Sequence, residues 1–266
     1  MQYAGRFVAL QDINLDVYRG ERIAVIGRSG AGKSTLLRVC NRLLYPTSGS
    51  LILEGQDITH AQGNQLRMVR RRVGMVFQQF NLVSRLSVLD NVLVGTLSHR
   101  RGLMHIPTLW RQFSTSEKEW AMECLNEVGI AHQAHKRATA LSGGQQQRVA
   151  IARLLAQRAD IILADEPIAS LDPRSAQQVM SILQKINEDH GVAVITNLHQ
   201  IDIAKGFSTR IIGLRDGKLI WDNDSSSINE DMLERLYGDQ LHEAHQASMQ
   251  EPKGSVAHAT NPEAIA

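Results

Sequence analysis

Gly27-Arg28-Ser29-Gly30-Ala31-Gly32-Lys33-Ser34-Thr35 closes a short apolar run, Glu21–Ile26 (ERIAVI). It opens a stretch in which Leu36, Leu37, Cys40, Leu43 and Leu44 recur at helical spacing. A buried strand that feeds a glycine-rich turn and then a helix is the setting of a phosphate-binding loop, and G-x-x-x-x-G-K-[ST] is its pattern. The glycines let backbone N–H groups curl around phosphate oxygens with no Cβ in the way. The helix adds its unsatisfied first-turn N–H groups and the positive end of its dipole. Gly27, Arg28, Ser29, Gly30, Ala31, Gly32 and Thr35 are therefore expected to line a nucleotide's phosphates. Lys33 is expected to reach the β- and γ-phosphates, and Ser34 to offer its hydroxyl to Mg²⁺. Tyr45-Pro46-Thr47-Ser48-Gly49 then breaks the helical pattern.

Two further motifs give this loop its chemistry. Ile161-Ile162-Leu163-Ala164-Asp165-Glu166 reads as a strand ending in two acids. Asp165 is expected to hold Mg²⁺ through bound water. Glu166 is expected to polarise the attacking water, since phosphoryl transfer needs an aligned nucleophile and neutralised charge. Two adjacent acids alone would be a solvated strand end; with the loop upstream they become a hydrolytic pair. In Leu141-Ser142-Gly143-Gly144-Gln145, Ser142 stands at the N-cap position before the helical run Val149–Ala156. A glycine pair at a helix start forms a second anion cradle. One ATP has little use for two full cradles from one polypeptide, so this one is expected to close over the γ-phosphate held by another copy.

The rest of the chain frames these motifs. Strands are expected at Ser50–Leu53, Arg72–Phe77, Asp160–Ala164, Val192–Thr196 and Arg210–Leu214, with a hairpin at Asp216-Gly217 before Leu219 and Ile220. Between Phe80 and Leu141 the texture is mainly helical, which points to an α/β core with a helical insertion. Ser225–Leu241 is expected to form a short helix. From His242 onward the sequence is small and polar and is read as a disordered tail, with His242, His245 and His258 too irregularly spaced for a metal site. The basic run His99, Arg100, Arg101, His105 and Arg111 is read as a solvated insertion in preference to a contact with anionic lipid headgroups or a partner's acidic loop.

Composition sets the outer limits. The chain has 266 residues, 43% of them hydrophobic, enough for a full core without disulfides. Its two cysteines, Cys40 and Cys124, form no ligand cluster. A formal charge of +2 lacks the basic excess of a nucleic-acid binder. No apolar run approaches the roughly 18 residues of a membrane span, and MQYAGRFVAL has no signal-peptide core. A role at a membrane would require docking on a partner that spans it.

LSGGQ together with the loop and the acidic strand resembles the ABC ATPase family, over about Tyr3–Tyr237. The resemblance implies a P-loop NTPase fold of class α/β: a RecA-like mixed-sheet core, a small antiparallel β subdomain and an inserted helical subdomain. The corresponding segments are 1–79 and 150–222 for the core, 80–149 for the helical subdomain, 223–241 for a C-terminal helix and 242–266 for the tail. It further implies that Gln78 contacts Mg²⁺ and senses membrane subunits. Ser170-Leu171-Asp172 would line a dimer seam, with Asp172 near nucleotide, His199 would contact the γ-phosphate as a second catalytic residue, and Tyr3 would stack on adenine. ATP and Mg²⁺ are the implied cofactors. The implied partners are a second copy, two transmembrane permease subunits and, indirectly, a periplasmic or lipid-anchored substrate-binding protein, with no nucleic acid. The implied place is peripheral, on the cytoplasmic face of the inner membrane. The resemblance implies that the family's usual first strand would fall upstream of where Met1 stands.

Within the family, Phe77–Gly95, Ala164–Pro173, Leu198–Ala204 and Trp110-Arg111-Gln112-Phe113 are similar to the ATPase subunit of bacterial phosphonate importers. Import of phosphite or phosphate esters is compatible with the same residues. Exporter or lipoprotein-release systems are the next alternative, and a soluble ribosome- or nucleic-acid-associated switch comes after them. Asn197 stands where such importers commonly carry Thr.

Overall fold

The computed structural model describes Met1, residues 8–99 and residues 113–238. Arg22–Ile26 forms β1, and its four C-terminal residues, Ile23 to Ile26, are all fully buried. An apolar run with no polar face suits a strand covered on both sides, and β1 duly lies inside a six-stranded sheet. The other strands are β4 (Val73–Val76), β5 (Ile161–Asp165), β6 (Ala193–Asn197), β7 (Arg210–Arg215) and β8 (Lys218–Asp224), in the order β4-β5-β6-β1-β7-β8. All neighbours run parallel except β8, which returns antiparallel from β7. The turn between them is Asp216-Gly217, with φ of 50° and 76°, the paired positive values of a hairpin turn that matches strand twist. A separate two-stranded sheet pairs β2 (Ile52–Leu53) with β3 (Gln56–Asp57). This is the mixed α/β architecture expected from the sequence.

Several boundaries differ from the sequence reading. The apolar recurrence through Leu44 outlasts its helix. Helix α1 covers Lys33–Cys40, and Arg42 then turns left-handed at φ 57°. The N–H groups of Leu43 and Leu44 fold back on the Arg38 carbonyl at 2.9 and 3.0 Å, a closing turn of the αL type. Only Ile52–Leu53 of the expected Ser50–Leu53 strand pairs. Arg72 ends a helix, α2 (Gly63–Arg72), instead of opening a strand. Three arginines in its last turn favour the negative end of the helix dipole, and Arg72 bridges to Asp160 at 2.6 Å and to Glu54. The helix expected at Ser225–Leu241 is a single tight turn at Ser225–Ser227 followed by α8, Glu230–Tyr237. Residues 239–241 lie outside the described residues. Helix α8 is capped by Asn229, whose side chain accepts from the Met232 N–H at 3.0 Å, and it belongs to a second compact unit that begins at Asn229.

The helical middle consists of α3 (Val88–Thr96), α4 (Thr115–Glu127) and α5 (Gly143–Gln157). Gly95 lets α3 press on α5, because a Cβ there would fall 2.2 Å from the Arg153 carbonyl oxygen. Helix α5 runs on to the sheet, where its Leu154 lies over Gly74 of β4. Helices α6 (Pro173–His190) and α7 (Ile201–Phe207) complete the layers. The core beneath the phosphate-binding loop gathers Ile23, Val25, Leu37, Leu163, Ile212 and Leu214. Each such side chain contributes roughly 1.5–3 kcal/mol of burial. Burial also pushes the Cys124 thiol up to about 12 and that of Cys40 to about 11, so both stay protonated and structural. Among the described residues no helix is long and apolar enough to cross a membrane.

Candidate functional site

The loop 27–32 leaves the end of β1 and enters α1 without a pause. Gly32 occupies the N-cap position at φ 101° and supplies no side-chain cap, and no acid stands in the first turn. Neither Gly32 nor Gly27 tolerates a side chain, since a Cβ on Gly32 would meet the Ala9 carbonyl oxygen at 2.5 Å and one on Gly27 would meet that of Leu214 at 2.1 Å. The loop is braced by its own Ala31 N–H, which donates to Arg28 O at 3.1 Å. It is braced from outside by the Gly217 N–H, which donates to Ala31 O at 3.1 Å. Ser29 and Gly30 are exposed at the tip, and Ser34 and Thr35 are half-buried in the first turn. Lys33 is only 5% exposed. Its ammonium donates to Gly27 O at 2.7 Å and Arg28 O at 3.0 Å, lying across the loop's mouth. Burial lowers the pKa of this ammonium, and the nearby Glu166 and Asp165 carboxylates partly restore it. The local result is a helix start with bare N–H groups and a buried cation, a combination built to receive an anion.

The acidic strand end meets that helix. Ser34 Oγ donates to Asp165 Oδ1 at 2.7 Å. Asn197 Nδ2 donates to the same oxygen at 2.7 Å, and Arg38 Nη2 stands 3.5 Å from Oδ2. One residue further, Glu166 adopts φ 53°, a left-handed backbone that costs a non-glycine residue about 1–3 kcal/mol and concentrates at functional sites. Its Oε1 is 2.6 Å from His199 Nε2. The structure thus brings Lys33, Ser34, Asp165, Glu166 and His199 into one set and adds Arg38 and Asn197. Sequence motifs did not single out Arg38. The signal for it was its place five residues after Lys33, on the same helix.

The remaining candidates form a second set. Ser142 caps α5 and Gln145 caps it back. Ser142 Oγ accepts from the Gln145 N–H at 3.4 Å, and Gln145 Oε1 accepts from the Ser142 N–H at 3.0 Å. A Cβ on Gly144 would sit 2.7 Å from Ser175 Oγ, and one on Gly143 would sit 3.3 Å from Leu171, so the glycine pair packs on the start of α6. Asp172 caps α6, its Oδ1 accepting from the Ser175 N–H at 3.0 Å. Hydrogen bonds from Ser175 hold its carboxyl below the usual range. Gln78 is exposed and, among the described residues, enters none of the hydrogen bonds of the first set. It lines a cleft of about 410 Å³ with Phe80, Leu82, Thr139, Gln146 and Ser170. Arg153 of α5 holds this segment, donating to Asn81 O at 2.7 Å and Phe80 O at 3.3 Å. Tyr3, and the basic run beyond His99, lie outside the described residues.

The chain is similar to several known proteins. The family model described as ABC transporter matches residues 10–169. The phosphonates import ATP-binding protein PhnC 1 of Halalkalibacterium halodurans is 47% identical over 241 residues, spanning 91% of this chain and 93% of its own. PhnC of Staphylococcus haemolyticus is 49% identical over 243 residues, spanning 90% and 92%. Among solved structures, the dimeric post-hydrolysis state of the ATP-binding cassette MJ0796 bound to ADP and phosphate superposes with a TM-score of 0.72. It has 37% identity and covers 83% of this chain and 92% of its own. CbiO1 of Clostridium perfringens gives a TM-score of 0.75 at 27% identity, over 94% and 95%.

Proposed function

Because the chain belongs to the ABC transporter family as an ATP-hydrolysing subunit, we propose that two copies clamp ATP head to tail and thereby drive phosphonate import through permease subunits. In each site one copy offers Gly27–Thr35 and the other offers Ser142–Gln145 across a two-fold axis. The observation that carries this reading is the uncapped start of α1, with Lys33 in its mouth and the Ser34–Asp165 and Glu166–His199 contacts beside it. The open end suits the β- and γ-phosphates of ATP, and the acids at the end of β5 suit hydrolysis of the terminal one. Glu166 accepts a proton from the attacking water as the oxygen–γ-phosphorus bond forms and the bond to ADP breaks. His199 holds the Glu166 carboxylate by its Nε2 and faces the γ-phosphate as the clamp closes.

The oxygens of Ser34 and Asp165 fit Mg²⁺, a hard cation that takes few protein ligands and keeps several waters. The buried Asn197 Oδ1 has no hydrogen-bond partner among the described residues and would suit a donor such as a cation-bound water. When bound, Mg²⁺ would neutralise developing phosphate charge. Gln78 would join the donor set on closure, Asp172 would line the seam, and Tyr3 would stack on adenine. Segments 1–79 with 150–222 would act as the nucleotide-binding core and 80–149 as the arm that carries Ser142–Gln145. Two permease subunits would grip the cleft beside Gln78, Phe80 and Leu82 on the cytoplasmic face of the membrane, with a substrate-binding protein feeding them from the other side. Phosphonate as the cargo rests on likeness to the importers named above.

A composite site makes a sharp demand. Lys33→Ala and Ser142→Arg copies should each be inactive alone, yet a mixture should regain ATPase activity, because mixed dimers hold one intact site. No recovery in the mixture would overturn the head-to-tail arrangement. Glu166→Gln should slow hydrolysis by roughly a hundredfold or more while ATP still drives dimers on size exclusion. Growth of a deletion strain on a phosphonate as sole phosphorus source, with no redundant importer, would remove the cargo assignment alone.

A further inference from the structure

Asp165 and Asn197 are the last residues of β5 and β6, and they are direct partners in the parallel register of those strands. In-register residues of neighbouring strands point to the same face, with side chains close enough to touch. The Asn197 amide accordingly reaches Asp165 Oδ1 at 2.7 Å, on the oxygen that also accepts from Ser34 at 2.7 Å. We propose that Asn197 is a positioning residue, tying the Asp165 carboxylate to β6 so that it stays aimed at the Mg²⁺ position beside Ser34. The inference rests on the nucleotide-binding reading above and extends it to a residue outside the loop and the acidic pair.

Packing does not explain an asparagine here. It is fully buried, and asparagine is disfavoured in strands. Among the described residues its Oδ1 is buried without a partner, which costs stability that an aliphatic side chain would not lose. The carboxylate does explain it. Arg38, the group near the other oxygen, is half-exposed and 3.5 Å away, a loose restraint. Ser34 is itself expected to turn toward the cation. Asn197 is then the donor whose place is set by the sheet alone, independent of nucleotide and cation. Groups of this kind, which hold a ligand without touching the metal, typically tune affinity tenfold or more.

The test is binding of fluorescent trinitrophenyl-ATP to the purified chain, titrated with Mg²⁺ and repeated in EDTA, alongside thermal melts without nucleotide. In Asn197→Leu, which keeps the shape and removes the donor, the Mg²⁺ concentration for half-maximal enhancement should rise roughly tenfold. Affinity in EDTA should be unchanged and the melting temperature should not fall. Asn197→Val carries the same expectation should the leucine variant fail to fold. Asn197→Thr, which returns a hydroxyl donor, should recover part of the Mg²⁺ response. An unaltered Mg²⁺ requirement in the donorless variants overturns the proposal. So does an equal loss of binding with and without Mg²⁺ joined to a lower melting temperature, the signature of a merely structural residue. Failure of the wild-type chain to bind the probe at all would defeat the nucleotide reading and this inference with it.

Discussion

Two helix starts in this molecule were both expected to hold phosphate, and they are built in opposite ways. Helix α1 begins at a glycine with no side-chain cap and a buried lysine at its mouth. Helix α5 begins with a reciprocal Ser142–Gln145 box, and its glycines are pressed against Ser175 and Leu171. An uncapped end is costly to leave bare and cheap to fill with an anion, because its N–H groups have no rival acceptor. A capped end is already stable, so it serves as a rigid surface that can be carried toward a ligand bound elsewhere. The difference suits the proposed division of roles, in which α1 grips and α5 completes a grip begun by another copy.

The largest effect should come from attacking the open end. Lys33→Ala should weaken ATP binding roughly a hundredfold or more, read by nucleotide titration, whereas removing a group from α5 should leave binding to a single copy intact. Gly32→Ser would try to give α1 the cap that α5 has. With φ at 101° and the Ala9 carbonyl in the way, it should cost about 1–3 kcal/mol in denaturant unfolding and should also abolish nucleotide binding. If it bound ATP normally, the bare end would not be what grips. Ser142→Ala should cost about 1 kcal/mol of stability, leave ATP affinity of the isolated chain unchanged and weaken ATP-driven dimerisation. The smallest effect concerns the start of α6. The Asp172 carboxyl titrates below its usual range in the folded chain, so its capping contribution is present above the ordinary carboxylate range and fades as pH falls through the lowered value. Asp172→Ala should therefore flatten the acid limb of a stability–pH curve, and an unchanged limb would remove that cap from the account.

How far these features were legible depended on whether the signal was local. Gly27–Thr35, Asp165-Glu166 and the Ser142 cap are contiguous runs whose spacing is itself the chemistry, and they fold where their residues indicate. Helix α2 was hidden because its exposed face is arginine-rich and only Val69 is fully buried, so the apolar rhythm is faint. The Asn197–Asp165 bond depends on strand register between residues 32 apart, which no pattern along the chain encodes. The division into two sets was legible, because one nucleotide has little use for two cradles; the contrast between a bare helix start at Gly32 and a reciprocally capped one at Ser142 needed the structure.

The clasp between Gly217 and the Ala31 carbonyl has a consequence for synthesis. Strand β1 takes both its neighbours, β6 and β7, from the last third of the described chain, and the loop after it leans on the hairpin that follows. A nascent chain leaving the ribosome therefore carries the whole Gly27–Thr35 motif long before any surface exists to shape it. Chains cut short ahead of Ala193 should emerge unable to retain nucleotide, with β1 bare on both edges and prone to clump. Nucleotide binding should therefore appear only once nearly all of this fold has been made.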